Sequence, residues 1–316
     1  MTDEPTKPDA RLPSTVPTGE PTGKPVVASP EQPSPDNPYA TRGETSLVPI
    51  VVAQGTEDFF HRIGRQTREG IGYLGGISKL SWSVLKEFPS RPFGFGEFVA
   101  QCESIGVKSM PIAVLILFFV GLVFALQFGL TLQTMGAVPY LGKITSLSIV
   151  RELGPVFTAL VVGSRVGAGM AAELGSMRVT EQVDAIRALG ADPVKKLVVP
   201  RVLATTLMLP LVALFADIIG IIGGMLISYM QFDLSLVHFY KSSVSTVHVT
   251  DFVSGYMKPF FFGFGIAIIG CYEGLTCGQG TEGVGRATTR TVVNVAVMVV
   301  LVDFFLTKLF TMLPRI

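Results

Sequence analysis

Residues 110–132 read MPIAVLILFFVGLVFALQFGLTL, a run in which no side chain is charged. A helix of roughly 20 such residues is long enough to cross the hydrocarbon core of a bilayer, whereas a helix in a soluble core rarely needs that length. The whole chain is also apolar, with 48% hydrophobic and 16% charged residues and a mean hydropathy of +0.51. These values are typical of a membrane protein rather than a soluble domain.

Four more apolar segments follow the first, and we predict an all-α polytopic membrane protein with five transmembrane helices after an N-terminal interfacial helix. Residues 106–316 form the predicted five-span domain. The predicted spans are 110–136, 147–175, 200–230, 252–277 and 291–313.

The N-terminal third divides into two predicted regions. Residues 1–54 hold eleven of the 21 prolines and few large apolar side chains, so we expect a disordered tail. Residues 55–105 form an amphipathic interfacial region, in which apolar and basic residues alternate at near-helical spacing from Thr56 to Phe88. A helix packed on protein is the alternative, and Pro89 and Pro92 are expected to end the helix in either case.

The basic residues outside the spans predict the topology. Seven Lys or Arg lie between the proline-rich tail and the first span, from Arg62 to Lys108, and the successive loops then carry one, five, one and two. Positive charge marks cytoplasmic loops, so this alternation predicts a cytoplasmic N-terminus, cytoplasmic loops at 176–201 and 278–290, and an outer C-terminus. Lys308 and Arg315 fit that rule poorly.

No pattern of catalytic residues is present in the sequence. The three histidines lack metal-ligand spacing, and the three cysteines are expected to be inert packing residues. The segment from Gly136 to Lys143 does not match the spacing of a phosphate-binding loop. A net charge of +1 without a basic cluster argues against nucleic acid. If ATP drives this protein, another chain must hydrolyse it.

Charged residues inside spans are costly and therefore mark candidate functional positions. We expect Arg151, Glu152 and the isolated Asp303 to face a substrate cavity, and Arg165 and Glu173 to be partnered charges that fix helix packing. In the first span, Gln127, Thr131 and Thr134 make one polar stripe that shares a face with Phe124. A mostly apolar wall with a few polar points suits an amphiphile better than an ion. Further charges in the spans are Asp217, Lys258 and Glu273.

Small residues at helical spacing predict close helix packing. Gly163 and Gly167 lie one turn apart, as do Ala168 and Ala172, and a second group surrounds Gly220. They predict either contacts within one bundle or a dimer seam.

The stretch MRVTEQVDAIRALGADPVKKLVVPR, residues 177–201, predicts a compact helical elbow in the cytoplasm. Thr180 is expected to cap a short helix that ends at Gly190, and Asp192 to cap the next helix. A structured surface of this kind favours a cytoplasmic partner, although a turn that only connects two spans is the alternative. We expect Val183, Ile186 and Leu189 to project on one side and Glu181, Asp184 and Arg187 to offer charges on others.

Three ordered motifs resemble a known family. RELGPVFTALVVGSRVGAGMAAELGSMRVTEQVDAIRALGADPVKKLVVPR at 151–201, GVGRATTRTVV at 283–293 and LVDFFLTKLF at 301–310 are similar to the permease subunit of MCE-associated ABC lipid transporters, the MlaE and YrbE family. The likeness covers about residues 55–316.

The resemblance implies a homodimer in the inner membrane of a Gram-negative-type bacterium, with phospholipid as the substrate. It implies two cytoplasmic ATPase subunits that bind the ATP and magnesium, a ring of MCE-domain proteins and a small cytoplasmic STAS-domain protein. This chain would hold no cofactor itself.

The resemblance also assigns residues. A coupling helix near 178–190 would dock into the ATPase through Arg178, Glu181, Gln182, Asp184 and Arg187. Thr131 makes the cavity wall more polar here than in the family pattern. The substrate pathway would comprise Phe124, Gln127, Thr131, Met135, Arg151, Glu152, Leu153, Lys258 and Asp303.

Two other classes of function are weighed against this one. An ion-coupled carrier would use Glu152 and Asp303 as proton or sodium sites and need no ATPase. A membrane-embedded lipid enzyme would need a nucleophile or metal constellation, which the sequence does not offer. Neither the direction of lipid movement nor the headgroup follows from the sequence.

Overall fold

The computed structural model describes residues 67–68, 70–87 and 95–312. The predicted tail at 1–54 lies outside these residues, as do Pro89, Pro92 and the beginning of the predicted interfacial helix. The described ranges are mostly helical and contain no strand, which confirms the predicted all-α class.

The helices follow one another with short connections. Three π-helical turns, at Glu103–Val107, Ile149–Leu153 and Val194–Val198, lie within longer helical runs, and a 3₁₀ turn lies at Val138–Tyr140. The α-helices are α1 (70–87), α2 (Phe95–Cys102), α3 (Met110–Thr134), α4 (Leu141–Ser148), α5 (Gly154–Val179), α6 (Gln182–Ala188), α7 (Val199–Phe232), α8 (Leu236–Thr246), α9 (Val249–Leu275) and α10 (Gly280–Met312).

Five helical runs are long and apolar enough to span a membrane, as predicted: Phe95–Thr134, Val138–Val179, Val194–Phe232, Val249–Leu275 and Gly280–Met312. The predicted loop at 278–290 is wrong for most of its length, because α10 already begins at Gly280. Its first turns are polar, and Gly283 and Ala287 are buried against the bundle. The polar residues at 280–290 were predicted to be a loop because their hydropathy is low, but they form the first turns of α10.

Backbone-to-backbone contacts hold the bundle together. Helix α3 packs on α7, and α5 packs on α9 and α10. A Cβ added to Gly121 would overlap the carbonyl oxygen of Gly220, and one added to Gly270 would lie 2.7 Å from the carbonyl oxygen of Gly167. These glycines therefore pack within one protomer.

Helix α1 belongs to the bundle on one side and is exposed on the other. Val84 is buried in the core, and Tyr73 makes an edge-to-face contact with Tyr272 of α9. Leu74 and Trp82, however, are largely exposed. This apolar outer surface fits a helix that lies at the membrane interface while it packs on protein.

Candidate functional site

Two ends of the bundle can be distinguished. Residues 178–192, here called the elbow, lie beside the α9–α10 turn, since the Cys277 Sγ is 3.6 Å from the Gly175 carbonyl at the end of α5. This is the elbow end. The opposite end, here called the far end, carries the start of α9 and the end of α10.

An ion cluster forms in the far half of the bundle, where α9 meets the π turn before α5. Gly255 permits this contact, because a Cβ there would overlap the carbonyl oxygen of Val150. Lys258, one turn further along α9, is thereby directed at Glu152 in the π turn. Pro259 follows directly and removes one backbone N–H from α9.

Lys258 is the centre of the cluster. Its Nζ donates to Glu152 Oε2 and to Thr307 Oγ1 at 2.7 Å, and it lies 3.0 Å from Asp303 Oδ1. The Thr307 hydroxyl in turn donates to Glu152 Oε2 at 3.2 Å. We call Glu152, Lys258, Asp303 and Thr307 the ionic cluster. Asp303 stands alone in an apolar stretch of the sequence, but in the structure Lys258 of the neighbouring helix α9 reaches it.

Burial is uneven within the ionic cluster. The Lys258 side chain is 2% exposed, whereas those of Glu152 and Asp303 are 38% and 22% exposed. The carboxylates therefore neutralise a buried ammonium and keep an accessible edge. Lys258 lies nine residues into α9, about 13 Å along the axis from the first residue of this helix at about 1.5 Å per residue.

A second ion pair extends the charged region toward the far end. Arg151 lies 3.5 Å from Asp251, whose carboxylate also accepts the His248 backbone N–H at 3.3 Å and so caps α9. Arg151, His248 and Lys143 line a cavity of about 580 Å³. The Arg151–Asp251 pair balances its own charges, whereas the ionic cluster holds one cation, Lys258, between two carboxylates.

The predicted residues of α3 lie elsewhere in the protomer. Gln127, Thr131 and Met135 are exposed, and Phe124 stacks on Phe128 with ring centroids 4.3 Å apart. The opposite side of α3 packs on α7. The ionic cluster is instead built by the π turn, α9 and α10. The residues of the predicted substrate pathway therefore do not line one common surface within a single protomer. Leu153 is half-buried and is the last residue of the π turn, directly before α5.

The elbow is well defined locally. Gly190 has φ +78° after α6, and Asp192 Oδ1 accepts the Val194 N–H at 2.9 Å, both as the sequence predicts. The predicted cap at Thr180 is wrong, because its hydroxyl donates back to the Ser176 carbonyl at 2.9 Å and so belongs to the end of α5. Glu181, with φ 60°, is the residue that precedes α6.

The exposed surface of the elbow differs from the predicted one. Val183 is buried and packs into the core, whereas Leu189 is 87% exposed, so these two do not share a side. Asp184 and Arg187 form an exposed ion pair at 3.3 Å. Burial raises the pKa of the Cys277 thiol and the nearby Arg178 guanidinium opposes that rise, which places Arg178 beside the α9–α10 turn.

The charges Arg165 and Glu173 are partnered, but not with each other. Arg165 donates to the Ser109 hydroxyl at 2.5 Å, and Glu173 forms an ion pair with Arg201 at 3.0 Å. These partners lie on other helices, which sequence spacing along α5 cannot show.

Two residues of the charged region were missed by the sequence analysis. Thr307 looks like any threonine of an apolar helix, and Asp251 looks like a loop residue before a span. The available signal was position, since Thr307 lies one helical turn from Asp303 and Asp251 lies two turns from Lys258.

Comparisons with known proteins agree with the motifs. The sequence model of a family described as Permease MlaE matches residues 98–309. A probable ABC transporter permease protein of Rickettsia prowazekii is 38% identical over 250 residues, which cover 79% of this chain and 96% of the relative. The intermembrane phospholipid transport system permease protein MlaE of Haemophilus influenzae is 32% identical over 253 residues, which cover 80% and 97%. A probable ABC transporter permease protein of Synechocystis is 42% identical over 209 residues, which cover 66% and 80%.

Proposed function

The chain belongs to the MlaE permease family and is the permease subunit of an ABC transporter; from this premise we propose that it moves phospholipid between the inner membrane and an MCE-domain partner. The observation that carries the proposal is the ionic cluster, a buried lysine between two partly exposed carboxylates inside an apolar bundle. Such a site gives a lipid headgroup polar partners at membrane depth.

The surroundings of the cluster support an amphiphilic substrate. Exposed apolar side chains such as Phe304 and Phe305 lie on α10 next to Asp303. Polar groups for a headgroup and apolar surface for acyl chains are thus offered within one helical turn. The Haemophilus influenzae relative is named as a phospholipid transport permease, which supports the same substrate class.

A homodimer would complete the pathway. The polar stripe of Gln127, Thr131 and Thr134 is exposed in one protomer, and polar side chains in a span are costly against lipid. Two copies that face each other through α3 would enclose these residues in a shared cavity. That cavity would unite the stripe with the ionic cluster.

ATP and magnesium would be bound by a separate ATPase subunit that docks on the elbow. Leu189 offers an exposed apolar anchor, and Asp184 and Arg187 offer charges beside it. The alternation of Lys and Arg supports a cytoplasmic elbow, with the ionic cluster toward the periplasm and the C-terminus on the periplasmic side.

Reconstitution tests the proposal. Proteoliposomes that contain the chain, its ATPase and an MCE-domain acceptor should transfer a fluorescent phospholipid only when ATP is present. Glu152→Gln should reduce this transfer, whereas Glu282→Gln, an exposed acid of α10 outside the cluster, should not. Transfer by the chain alone under a proton or sodium gradient would overturn the proposal in favour of an ion-coupled carrier.

A further inference from the structure

A cavity of about 860 Å³ lies at the elbow end, between α1, the end of α9 and the first half of α10. It is distinct from the ionic cluster, since Glu273 on its wall is fifteen residues from Lys258, about 22 Å along α9 at about 1.5 Å per residue. Its polar lining consists mainly of Tyr73, Glu273, Arg286, Arg290 and Asn294.

The inner wall of this cavity is an organised hydrogen-bond network. The Asn294 side-chain amide donates to the Tyr73 hydroxyl at 2.8 Å and to Glu273 Oε1 at 3.0 Å. Glu273 is 6% exposed. Burial, and then the negative charge of Glu273, raises the pKa of Tyr73, so the phenol stays protonated. A buried carboxylate therefore faces the cavity without a cationic partner in this network.

The mouth of the cavity is basic. Arg286 and Arg290 lie one turn apart on α10 and are both exposed. Arg286 is 3.7 Å from Glu282 in a pair that is mostly in solvent and therefore weak. Within the described ranges, Arg290 forms no ion pair. Two guanidinium groups at this spacing suit a phosphate, which accepts several charge-assisted hydrogen bonds at once.

The cavity lies at the level of the membrane interface. Leu74 and Trp82 on the outer surface of α1 are exposed, and tryptophan prefers the headgroup region. Beyond the arginines, α10 exposes the apolar side chains of Val293, Val297 and Val300 in the direction of the far end. A polar cavity that continues into an apolar strip matches a molecule with a polar head and acyl chains.

We propose that this cavity binds the headgroup of a membrane phospholipid that carries both a phosphate and an amine. Arg286 and Arg290 bind the phosphate, the Glu273 carboxylate binds the ammonium, and the acyl chains lie along the valines of α10. A phosphate without an amine is disfavoured by the buried negative charge. This proposal does not rest on the proposed transport of phospholipid.

Lipid binding to the purified full-length chain tests the site. Phosphatidylethanolamine is titrated in detergent and its binding is followed by native mass spectrometry. The double variant Arg286→Gln, Arg290→Gln should bind about tenfold more weakly or worse, as expected when two charge-assisted hydrogen bonds are lost. The matched control is Lys79→Gln, Lys86→Gln, which removes two exposed charges of α1 outside the cavity and should change binding less than about twofold.

Equal weakening by the two double variants would overturn the site, because it would show general attraction to lipid. The single variant Arg290→Gln, which alters an exposed side chain without an ion pair to any described residue, repeats the test if the double variant does not fold. It should still weaken binding several-fold, and unchanged affinity would overturn the phosphate contact.

The headgroup and its source are tested separately. The unaltered chain should prefer phosphatidylethanolamine to phosphatidylglycerol, and Glu273→Gln should remove most of that preference. Equal affinity of the unaltered chain for the two lipids would overturn the amine contact. Soluble glycerophosphoethanolamine should protect the chain against thermal unfolding far less than the lipid does, and equal protection would overturn a membrane lipid as the ligand.

Discussion

The ionic cluster and the elbow use the same kinds of charged residues in opposite ways. Lys258 is almost fully buried and is neutralised by Glu152 and Asp303, whereas Asp184 and Arg187 form a pair whose side chains are 62% and 65% exposed. An exposed pair contributes about 0–1 kcal/mol, but loss of one partner from a buried pair costs about 3–5 kcal/mol. The cluster therefore ties helices together, while the elbow leaves its charges available to a partner.

The largest effect is expected when the cluster loses its cation. Lys258→Met leaves two carboxylates close together without the ammonium that neutralises them, and should lower the free energy of unfolding by about 3–5 kcal/mol. Arg187→Met, which breaks the exposed pair of the elbow, should change it by about 0.5 kcal/mol or less. Denaturant unfolding of the two variants in the same detergent measures the difference.

A neutral cluster separates stability from function. Lys258→Met combined with Glu152→Gln and Asp303→Asn removes all three charges and should recover much of the lost stability without restoring lipid transfer. Similar losses in Lys258→Met and Arg187→Met would contradict the contrast between the two regions.

The next largest effect concerns the helix contact that builds the cluster. Gly255→Ala places a Cβ against the Val150 carbonyl, pushes α9 away from the π turn, and should cost about 1–3 kcal/mol. Gly285→Ala in α10 has no atom within 4 Å of the added Cβ and should be neutral or stabilise by up to about 1 kcal/mol. Thermal unfolding of both variants checks this, and equal behaviour would show that Gly255 is not the point of closest approach.

A third prediction concerns the elbow alone. Leu189→Asp should leave the free energy of unfolding within about 0.5 kcal/mol, because the side chain is almost fully exposed. It should weaken binding of the ATPase subunit about tenfold or more, since an apolar anchor is replaced by a charge. Leu236→Asp, an exposed leucine at the start of α8 toward the far end, is the control and should leave that binding unchanged. Copurification with the ATPase subunit measures the binding of both variants. If Leu189→Asp and Leu236→Asp retain the same amount of ATPase, Leu189 is not part of the docking surface.

The two regions also differ in how far the sequence predicts them. The five spans follow from hydropathy, and the elbow follows from local signals, because Gly190 and Asp192 act on the backbone within a few residues. Thr180 was assigned to the wrong helix because a threonine hydroxyl can bond either forward as a cap or back to the preceding turn.

The ionic cluster depends on contacts that are distant in the chain. Glu152 and Lys258 are 106 positions apart, and Thr307 lies 155 positions from Glu152. Sequence reasoning identified the charged residues as costly in a span, but it left Asp303 without a partner. Helix packing at Gly255 decides which charges meet, and no local pattern records that packing.

The smallest expected effect tests the backbone of the elbow. Glu181 has φ 60°, a left-handed conformation that a residue with a Cβ adopts at a cost of about 1–2 kcal/mol. Glu181→Gly removes this strain but adds entropy to the unfolded chain, so we expect a net gain of about 0.5–1 kcal/mol. Asp184→Gly removes an equal charge from within α6 and should instead lose about 0.5 kcal/mol. The same thermal shift for both variants would show that charge rather than backbone conformation controls the stability of the elbow, whereas opposite shifts would show that the strained backbone of Glu181 does.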